Sequence, residues 1–350
     1  TKIDNGEPYV IRLKLPEKQI ISFKDVIRGD IAINTEDLDD QVLIKTDGFP
    51  TYHLAVVVDD HLMGITHIIR GEEWLPSTPK HVYLYQCFGW EEPQYVHLPN
   101  ILNADHKKLS KRQGDVSVED FLAKGYLPEA LINFLALLGW SPEGDQEIFS
   151  LDELVDIFEP ERINKSGAVF DREKLNWMNG QYIKKLSDDE MVDKMVPFLL
   201  KAGEISSEDV LNKKSWLQKV AQILRERIDY FAQAPEELKA ILNPDFVMTD
   251  TEEAQQIMAA DTVPVLYQAL TDKIEAADAE QWNAENAQKM IKSIQKEHKA
   301  EKIKGKALYM PIRLMLTGEM HGPDLALIMD VLGKDECLKR LRAYQTHHSL

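Results

Sequence analysis

The segment Lys108-Leu109-Ser110-Lys111-Arg112-Gln113-Gly114 sets three cations and a hydroxyl within five positions and closes them with glycine. Lysine is a compact charge that follows phosphate oxygens as they move, and it is worth most where negative charge develops in a transition state. The composition therefore suits a mobile loop closing on a polyphosphate. Taken alone, so short a motif reads first as a solvated basic loop, and only its context moves the balance. His53, His61 and His67 have no metal-ligand spacing, and no Ser-His-Asp arrangement or glycine-rich phosphate loop stands elsewhere.

The elements that must position this segment are legible from periodicity. Strand-like alternation runs through Tyr9–Leu15, Ile27–Ile33 and Val42–Ile44, with Asp47-Gly48 as a turn signal. Thr51 is placed to cap a helix from Tyr52 to about Met63, and Gly64 to end it. Ile65–Ile69 reads as a short buried strand. A second helix opens at Ser77 and closes at Gly89, and Tyr95–Leu98 is a further strand. Helix and strand alternating at this spacing make half of a doubly wound parallel sheet, and the basic segment follows its last strand.

From Val116 onward the pattern turns helical. Phe121, Leu122, Ala130, Leu131, Phe134, Leu135 and Leu138 form a pair of apolar faces stopped by Gly139, and Leu151, Leu154, Val155 and Phe158 form another. Beyond Leu186 nearly every segment is amphipathic helix, with stripes at Leu217, Val220, Ala221, Leu224, Ile228 and Phe231 and at Leu325, Ile328, Val331 and Leu332. Pro235, Pro244, Pro264, Pro311 and Pro323 are expected to punctuate these helices. The class is α/β followed by all-α.

Composition bounds the function. A chain of 350 residues with 44% hydrophobic content predicts two or three units. No run of roughly 18 apolar residues is present, so no membrane span is expected. Cys87 and Cys337 are the only cysteines, with no CxxC pair. Neither a disulfide framework nor a bound zinc is expected, and a reducing cytoplasm fits. A net charge of −18 argues against indiscriminate coating of nucleic acid. It leaves room for an RNA partner met by one basic face. The chain opens at Thr1 in polar sequence already heading into a strand and reads as one entered partway through.

Several runs together carry a family resemblance. Tyr52-His53-Leu54-Ala55-Val56-Val57-Val58-Asp59-Asp60-His61-Leu62-Met63-Gly64 is followed by Ile68-Ile69-Arg70-Gly71-Glu72-Glu73-Trp74, by Ser77-Thr78-Pro79, and by the basic segment. Further on stand Leu127-Pro128-Glu129-Ala130-Leu131, Val169-Phe170-Asp171 and Leu175-Asn176-Trp177-Met178-Asn179-Gly180. These resemble the bacterial type of glutamyl-tRNA synthetase, a class I family, across essentially the whole chain and more weakly after residue 190. The basic segment matches the family's KMSKS signature, written here KLSKR.

The resemblance implies the second half of a Rossmann-like catalytic domain, a helical stem-contact domain and an α-helical anticodon-binding region. The divisions expected are 1–50, the end of an acceptor-binding insertion and the return to the catalytic domain; 51–115, the second catalytic half; 116–187, the stem-contact helices; and 188–350, the anticodon-binding helices with a break near 240. It implies ATP-dependent activation of glutamate and transfer to tRNA(Glu), with Mg2+ carried by ATP, in a cytoplasmic monomer. Lys111 and Lys108 become the catalytic lysines. Lys108, Leu109, Ser110, Lys111, Arg112, Glu73 and Trp74 become ATP contacts, and Tyr52 and Arg70 hold glutamate. A bidentate guanidinium at a strand end suits a carboxylate and leaves an amide poorly paired. Without the resemblance, Arg70 reads first as an ordinary strand-end arginine on the surface, and Tyr52 can be read as a core aromatic. Val56 stands where some members carry a polar Asn, so no substrate contact is expected there. Adjacent residues on a helix point about 100° apart, which favours structural or tRNA-end roles for Asp59 and Asp60 over metal ligation.

The helical tail resembles the anticodon-binding region of this family, whereas glutaminyl-type enzymes end in β-barrels. Arg225, Arg227 and Arg313 are its candidate readers of unstacked anticodon bases, set against an equal reading as solvent-facing helical arginines. The family also carries a HIGH signature, and no His-x-Gly-His occurs in these 350 residues. Two functions stay open: an aminoacyl-tRNA ligase whose present segment is inactive alone, and a non-catalytic tRNA-binding module.

Overall fold

The computed structural model describes residues 3–110, 117–243 and 246–348. The chain divides into two compact units, Thr1–Ser117 with Glu129–Leu175, and Val118–Pro128 with Asn176–Leu350.

The first unit is α/β. Its elements are β1 (Ile11–Arg12), β2 (Ile20–Asp25), β3 (Gly29–Asn34), β4 (Val42–Ile44), α1 (Tyr52–Leu62), β5 (His67–Gly71), α2 (Thr78–Phe88), β6 (Gln94–Leu98) and β7 (Ile101–Leu102). The main sheet has the order β3-β2-β6-β5, with β3 antiparallel to β2 and the other pairs parallel. The strand expected over Ile27–Ile33 is instead a turn followed by β3. Gly29, at φ 82°, makes that turn possible, and β2 before it escaped the periodicity reading. Its signal was present: Ile21, Phe23 and Asp25 alternate inward along β2.

Two shifts matter for the site. The strand expected at Ile65–Ile69 lies two residues later, because Ile65 donates its N–H to Asp60 in the turn that Gly64 makes after α1. Arg70 is thereby a strand residue, paired in register with His97 of β6. Thr51 does precede α1, yet its hydroxyl donates to the Val42 carbonyl at 2.6 Å and caps nothing. Ser77 makes no side-chain cap either, so Pro79 in the first turn, preset for helical φ, supports the start of α2. Gly89, left-handed at φ 68°, ends that helix. The core gathers Ile21, Phe23, Val57, Val82, Leu84, Tyr85 and Tyr95 between the sheet and α1–α2.

The unit is completed by α4 (Pro128–Leu137), α5 (Leu151–Ile157) and β8 (Ala168–Val169), which pairs in parallel with β7. Ser150 and Glu153 form a reciprocal capping box at the start of α5.

The second unit is helical. It holds α3 (Val118–Ala123), most of α6 (Arg172–Lys185), α7 (Asp188–Ala202), α8 (Ser207–Asn212), α9 (Lys214–Leu224), α10 (Ala234–Leu242), α11 (Glu252–Met258), α12 (Thr262–Ala276), α13 (Ala284–Glu297), α14 (Lys306–Thr317) and α15 (Leu325–His348). Capping boxes at Ser187–Glu190 and Ser206–Asp209 start α7 and α8. Leu217, Val220, Ala221, Leu224, Ile228 and Phe231 are all buried, as their spacing requires. Pro235 and Pro264 sit in the first turns of α10 and α12, where a missing N–H costs nothing. Pro311 departs from its expected role: it lies inside α14 and is buried there, so apolar packing offsets the lost backbone bond. Pro244 falls outside the described residues. Gly333, at φ 79° and ψ 162°, breaks α15 in two.

Candidate active site

The site grows from the carboxyl end of β5, the position where open parallel sheets bind ligands. Arg70 occupies the next-to-last place in that strand. Its Nε donates to His97 Nε2 at 3.1 Å and its Nη2 to the Thr78 hydroxyl at 2.8 Å, while Nη1 lies 3.3 Å from His81 Nδ1. Among the described residues no carboxylate comes within ion-pair distance of it. Burial pulls its pKa below the ordinary arginine value, and the adjacent Tyr52 phenol pushes it back up by attraction and hydrogen bonding.

Around the guanidinium stand the aromatic residues singled out in the sequence. Trp74 lies with its ring centre 5.7 Å from the Arg70 carbon and 4.6 Å from the ring of Tyr52. The chain reaches Trp74 by folding Glu73 back over Gly71: a Cβ there would stand 2.1 Å from a Glu73 carboxylate oxygen, so a side chain at that position would push the exposed Glu73 carboxylate aside. Glu72 points elsewhere, joining Arg28 at 2.6 Å and the Asn100 side chain at 2.7 Å. It fastens the β2–β3 turn to the exit of β6.

The basic segment enters the same neighbourhood. Asn103 accepts N–H groups from Asp105 and Lys107 and turns the chain back along β7, where Leu109 donates to the Ile101 carbonyl at 2.8 Å. Lys108 then sits 3.5 Å from Glu73. Leu109 and Ser110 follow it, and Lys111 and Arg112 fall outside the described residues. The structure thus brings Tyr52, Arg70, Glu73, Trp74 and Lys108 to one end of the sheet.

Sequence reasoning missed the polar groups behind Arg70. Asp25, Thr78 and His97 are 0% exposed and His81 is 1%. Asp25 accepts backbone N–H groups from Ile27, Arg28 and His97, and lies 2.7 Å from His97 Nδ1. His81 Nε2 lies 2.9 Å from His53 Nδ1. Burial lowers the pKa of His97 and that of His53, and takes His81 down to about 3 with help from the Arg70 charge. These rings are neutral. A signal did exist: His97 alternates with the core residue Tyr95, and His81 lies one turn beyond Thr78, so both rings had to be buried and hydrogen-bonded.

In the helical unit Arg225 pairs with Asp188 and Arg227 with Glu237, each at 2.6 Å. Arg313 donates to the Pro323 carbonyl at 2.7 Å, while its Nη1 is buried with no partner. One turn earlier on α14, Tyr309 lines a cavity with Lys292, Lys296, Lys299, Lys302 and Lys304. None of these five lysines pairs with a carboxylate among the described residues.

Residues 1–177 match the family of class I tRNA synthetases (E and Q), catalytic domain, and residues 190–345 match the anticodon binding domain. The glutamate–tRNA ligase of Clostridioides difficile (strain 630) is 56% identical over 339 residues, covering 97% of this chain and 68% of that protein. The same enzyme of Alkaliphilus metalliredigens (strain QYMF) is 55% identical over 346 residues, covering 99% of this chain and 69% of the relative. A crystal structure of a glutamate tRNA ligase from Elizabethkingia meningosepticum, in complex with its amino acid, superposes with a TM-score of 0.80 at 36% identity. It covers 97% of this chain and 69% of that one.

Proposed function

The chain belongs to the glutamate–tRNA ligase family of class I tRNA synthetases, and from that premise we propose that its α/β unit takes part in activating glutamate with ATP for transfer to the 3′ end of tRNA(Glu). The observation that carries this reading is the setting of Arg70. A partly buried cation costs free energy unless an anion compensates it. Among the described residues no such anion stands at ion-pair distance, and Arg70 lies at the strand end where parallel sheets take ligands. The side-chain carboxylate of glutamate supplies it, with Tyr52 hydrogen-bonding the amino acid. Glutamine, carrying an amide, leaves the charge unmatched and is rejected.

In the first step a glutamate carboxylate oxygen attacks the α-phosphorus of ATP, forming glutamyl adenylate and releasing pyrophosphate. In the second a ribose hydroxyl of the tRNA end takes the glutamyl group and adenylate leaves. No side chain acts as nucleophile, so positioning and charge stabilisation do the work. Lys111 holds the phosphates, with Lys108 and Arg112 assisting and Leu109 and Ser110 shaping the segment. Glu73 and Trp74 border the nucleotide. Mg2+ arrives with the triphosphate and offsets its charge. The reading assigns these 350 residues, assayed alone, no glutamate activation.

The helical unit supplies the contact with tRNA. An exposed tyrosine beside five lysines that pair with no carboxylate among the described residues combines a stacking surface with phosphate-seeking charge, the pairing that suits unstacked RNA. Arg225, Arg227 and Arg313 are its candidate base readers.

The test is glutamylation of purified glutamate- and glutamine-accepting tRNAs by the complete protein, alongside glutamate-dependent ATP–pyrophosphate exchange. Exchange and charging with glutamate support the reading. Binding of tRNA with neither activity would instead establish a non-catalytic tRNA-binding module.

A further inference from the structure

Arginine has five N–H donors and never accepts a hydrogen bond. The ring nitrogens that face Arg70 must therefore be bare, and this fixes the tautomer of each histidine around it. His97 Nε2, 3.1 Å from Arg70 Nε, carries no proton, so the ring proton sits on Nδ1 and is donated to Asp25 at 2.7 Å. Asp25 also takes three backbone N–H groups, so four donors converge on its two oxygens. On the other side His81 Nδ1 faces Arg70 and is bare, so Nε2 donates to His53 Nδ1, and the His53 proton lies on Nε2. Thr78 accepts from Arg70 and donates to the Trp74 carbonyl.

We propose that the His97 ring, oriented by Asp25, together with Thr78 and His81, forms a cradle of uncharged groups around Arg70 that fixes its plane with no carboxylate in contact among the described residues, reserving the guanidinium for the acid side chain of the substrate. The proposal rests on the reading of Arg70 as the glutamate anchor. A carboxylate placed directly on the guanidinium would hold it equally well and cancel the charge that selects glutamate. Interposing the His97 ring separates the two jobs: Asp25 orients the ring, the ring orients the arginine, and no carboxylate among the described residues touches the cation. His97, His81 and Thr78 are positioning residues, and their effect falls on amino-acid binding and selectivity.

Two measurements on the complete protein decide this. In long-range proton–nitrogen spectra of histidine-labelled protein, His97 shows its proton on Nδ1; a proton on Nε2 overturns the cradle. In the exchange assay His97→Leu raises the KM for glutamate at least tenfold and narrows the preference for glutamate over glutamine, with kcat and the KM for ATP within threefold. His97→Gln, whose amide oxygen can replace Nε2 as acceptor, restores the glutamate KM to within threefold of the parent. A glutamate KM unmoved by His97→Leu overturns the proposal. If that variant does not fold, the spectrum decides together with Thr78→Val, which deletes one acceptor at nearly constant volume and is expected to raise the glutamate KM at least threefold; an unmoved KM counts against the cradle. Arg70→Gln separates the two levels. An unchanged glutamate KM in that variant overturns the anchor reading itself, whereas a raised one alongside an unaffected His97→Leu overturns the cradle alone.

Discussion

Lys108 Nζ lies 3.5 Å from Glu73 Oε1, which ties the first cation of the basic segment to the strand end that carries Arg70. Both side chains are more than half exposed, at 62% and 52%. Such a pair contributes between about 0 and 1 kcal/mol and weakens with salt. It is a latch light enough for a triphosphate to displace. Lys108→Ala is expected to cut glutamate-dependent ATP–pyrophosphate exchange in the complete protein at least tenfold, while stability moves by no more than about 0.5 kcal/mol. Glu73→Gln releases Lys108 without removing it and should leave exchange within a few-fold of the parent. Equal losses in the two variants would show that the ion pair, not the lysine's reach to phosphate, is what matters.

Gly125 shows where the helical unit tolerates no side chain. Its φ is 81°, and a Cβ would stand 2.6 Å from Phe231 Cβ and 2.7 Å from Phe198 Cζ. Gly203, at φ 77°, has nothing within 4 Å of the same added atom. Gly203→Ala therefore bears only the left-handed strain, about 1–2 kcal/mol. Gly125→Ala adds overpacking to it, for a total of about 2–4 kcal/mol. Urea unfolding of the two variants compares them directly, and an equal loss in both would contradict the packing described around Gly125.

His81 makes stability depend on acid. Its ring is 1% exposed and its pKa lies at about 3 against an ordinary 6.5, with burial as the main cause. The folded state binds fewer protons on this ring than the unfolded state does across that interval. Stability from this ring is therefore intact near neutrality and is lost as pH falls from about 6.5 towards 3, by an amount on the order of a few kcal/mol. His81→Gln removes the titration. Carboxylates lose stability with acid in both proteins, so the difference between their thermal unfolding profiles from pH 7 to pH 4 isolates the histidine. Parallel profiles would mean that the ring is charged in the folded protein.

The parts of this fold that periodicity could find were those whose cause is local. Apolar stripes, Gly64, Gly89 and the short strand ending at Leu98 speak for themselves within a few residues. The basic segment was legible because its types and spacing carry chemistry, whereas Arg70 and Tyr52 were singled out by the family resemblance. What escaped was non-local. Nothing near Asp25 announces that its carboxylate will meet a ring 72 positions away, since that pairing exists only once β2 lies beside β6. Thr51 was placed correctly and misjudged chemically, because the Val42 carbonyl that takes its hydroxyl comes from another strand. The lysines from Lys292 to Lys304 were not singled out by sequence, because it is α14 that brings Tyr309 beside them.

Arg227 is the anticodon candidate whose surroundings give the sharpest test. Its Nε lies 2.6 Å from Glu237 Oε2, and both groups are about one-third exposed, at 33% and 29%. The guanidinium cannot serve Glu237 and an RNA base with the same edge, so a base that takes the Nε edge must displace Glu237. Breaking the ion pair in advance lowers that cost. If Arg227 reads RNA, Arg227→Gln weakens discrimination between cognate and near-cognate anticodons, and Glu237→Gln, which leaves the arginine free, tightens binding of glutamate-accepting tRNA by a few-fold. Neither change touches adenylate formation. If the arginine is only a brace between the turn after α9 and α10, both substitutions lower stability and neither alters RNA affinity. Opposite signs on tRNA binding, with exchange constant, are the signature of a reader; matching losses of stability with unchanged binding would assign Arg227 to the fold.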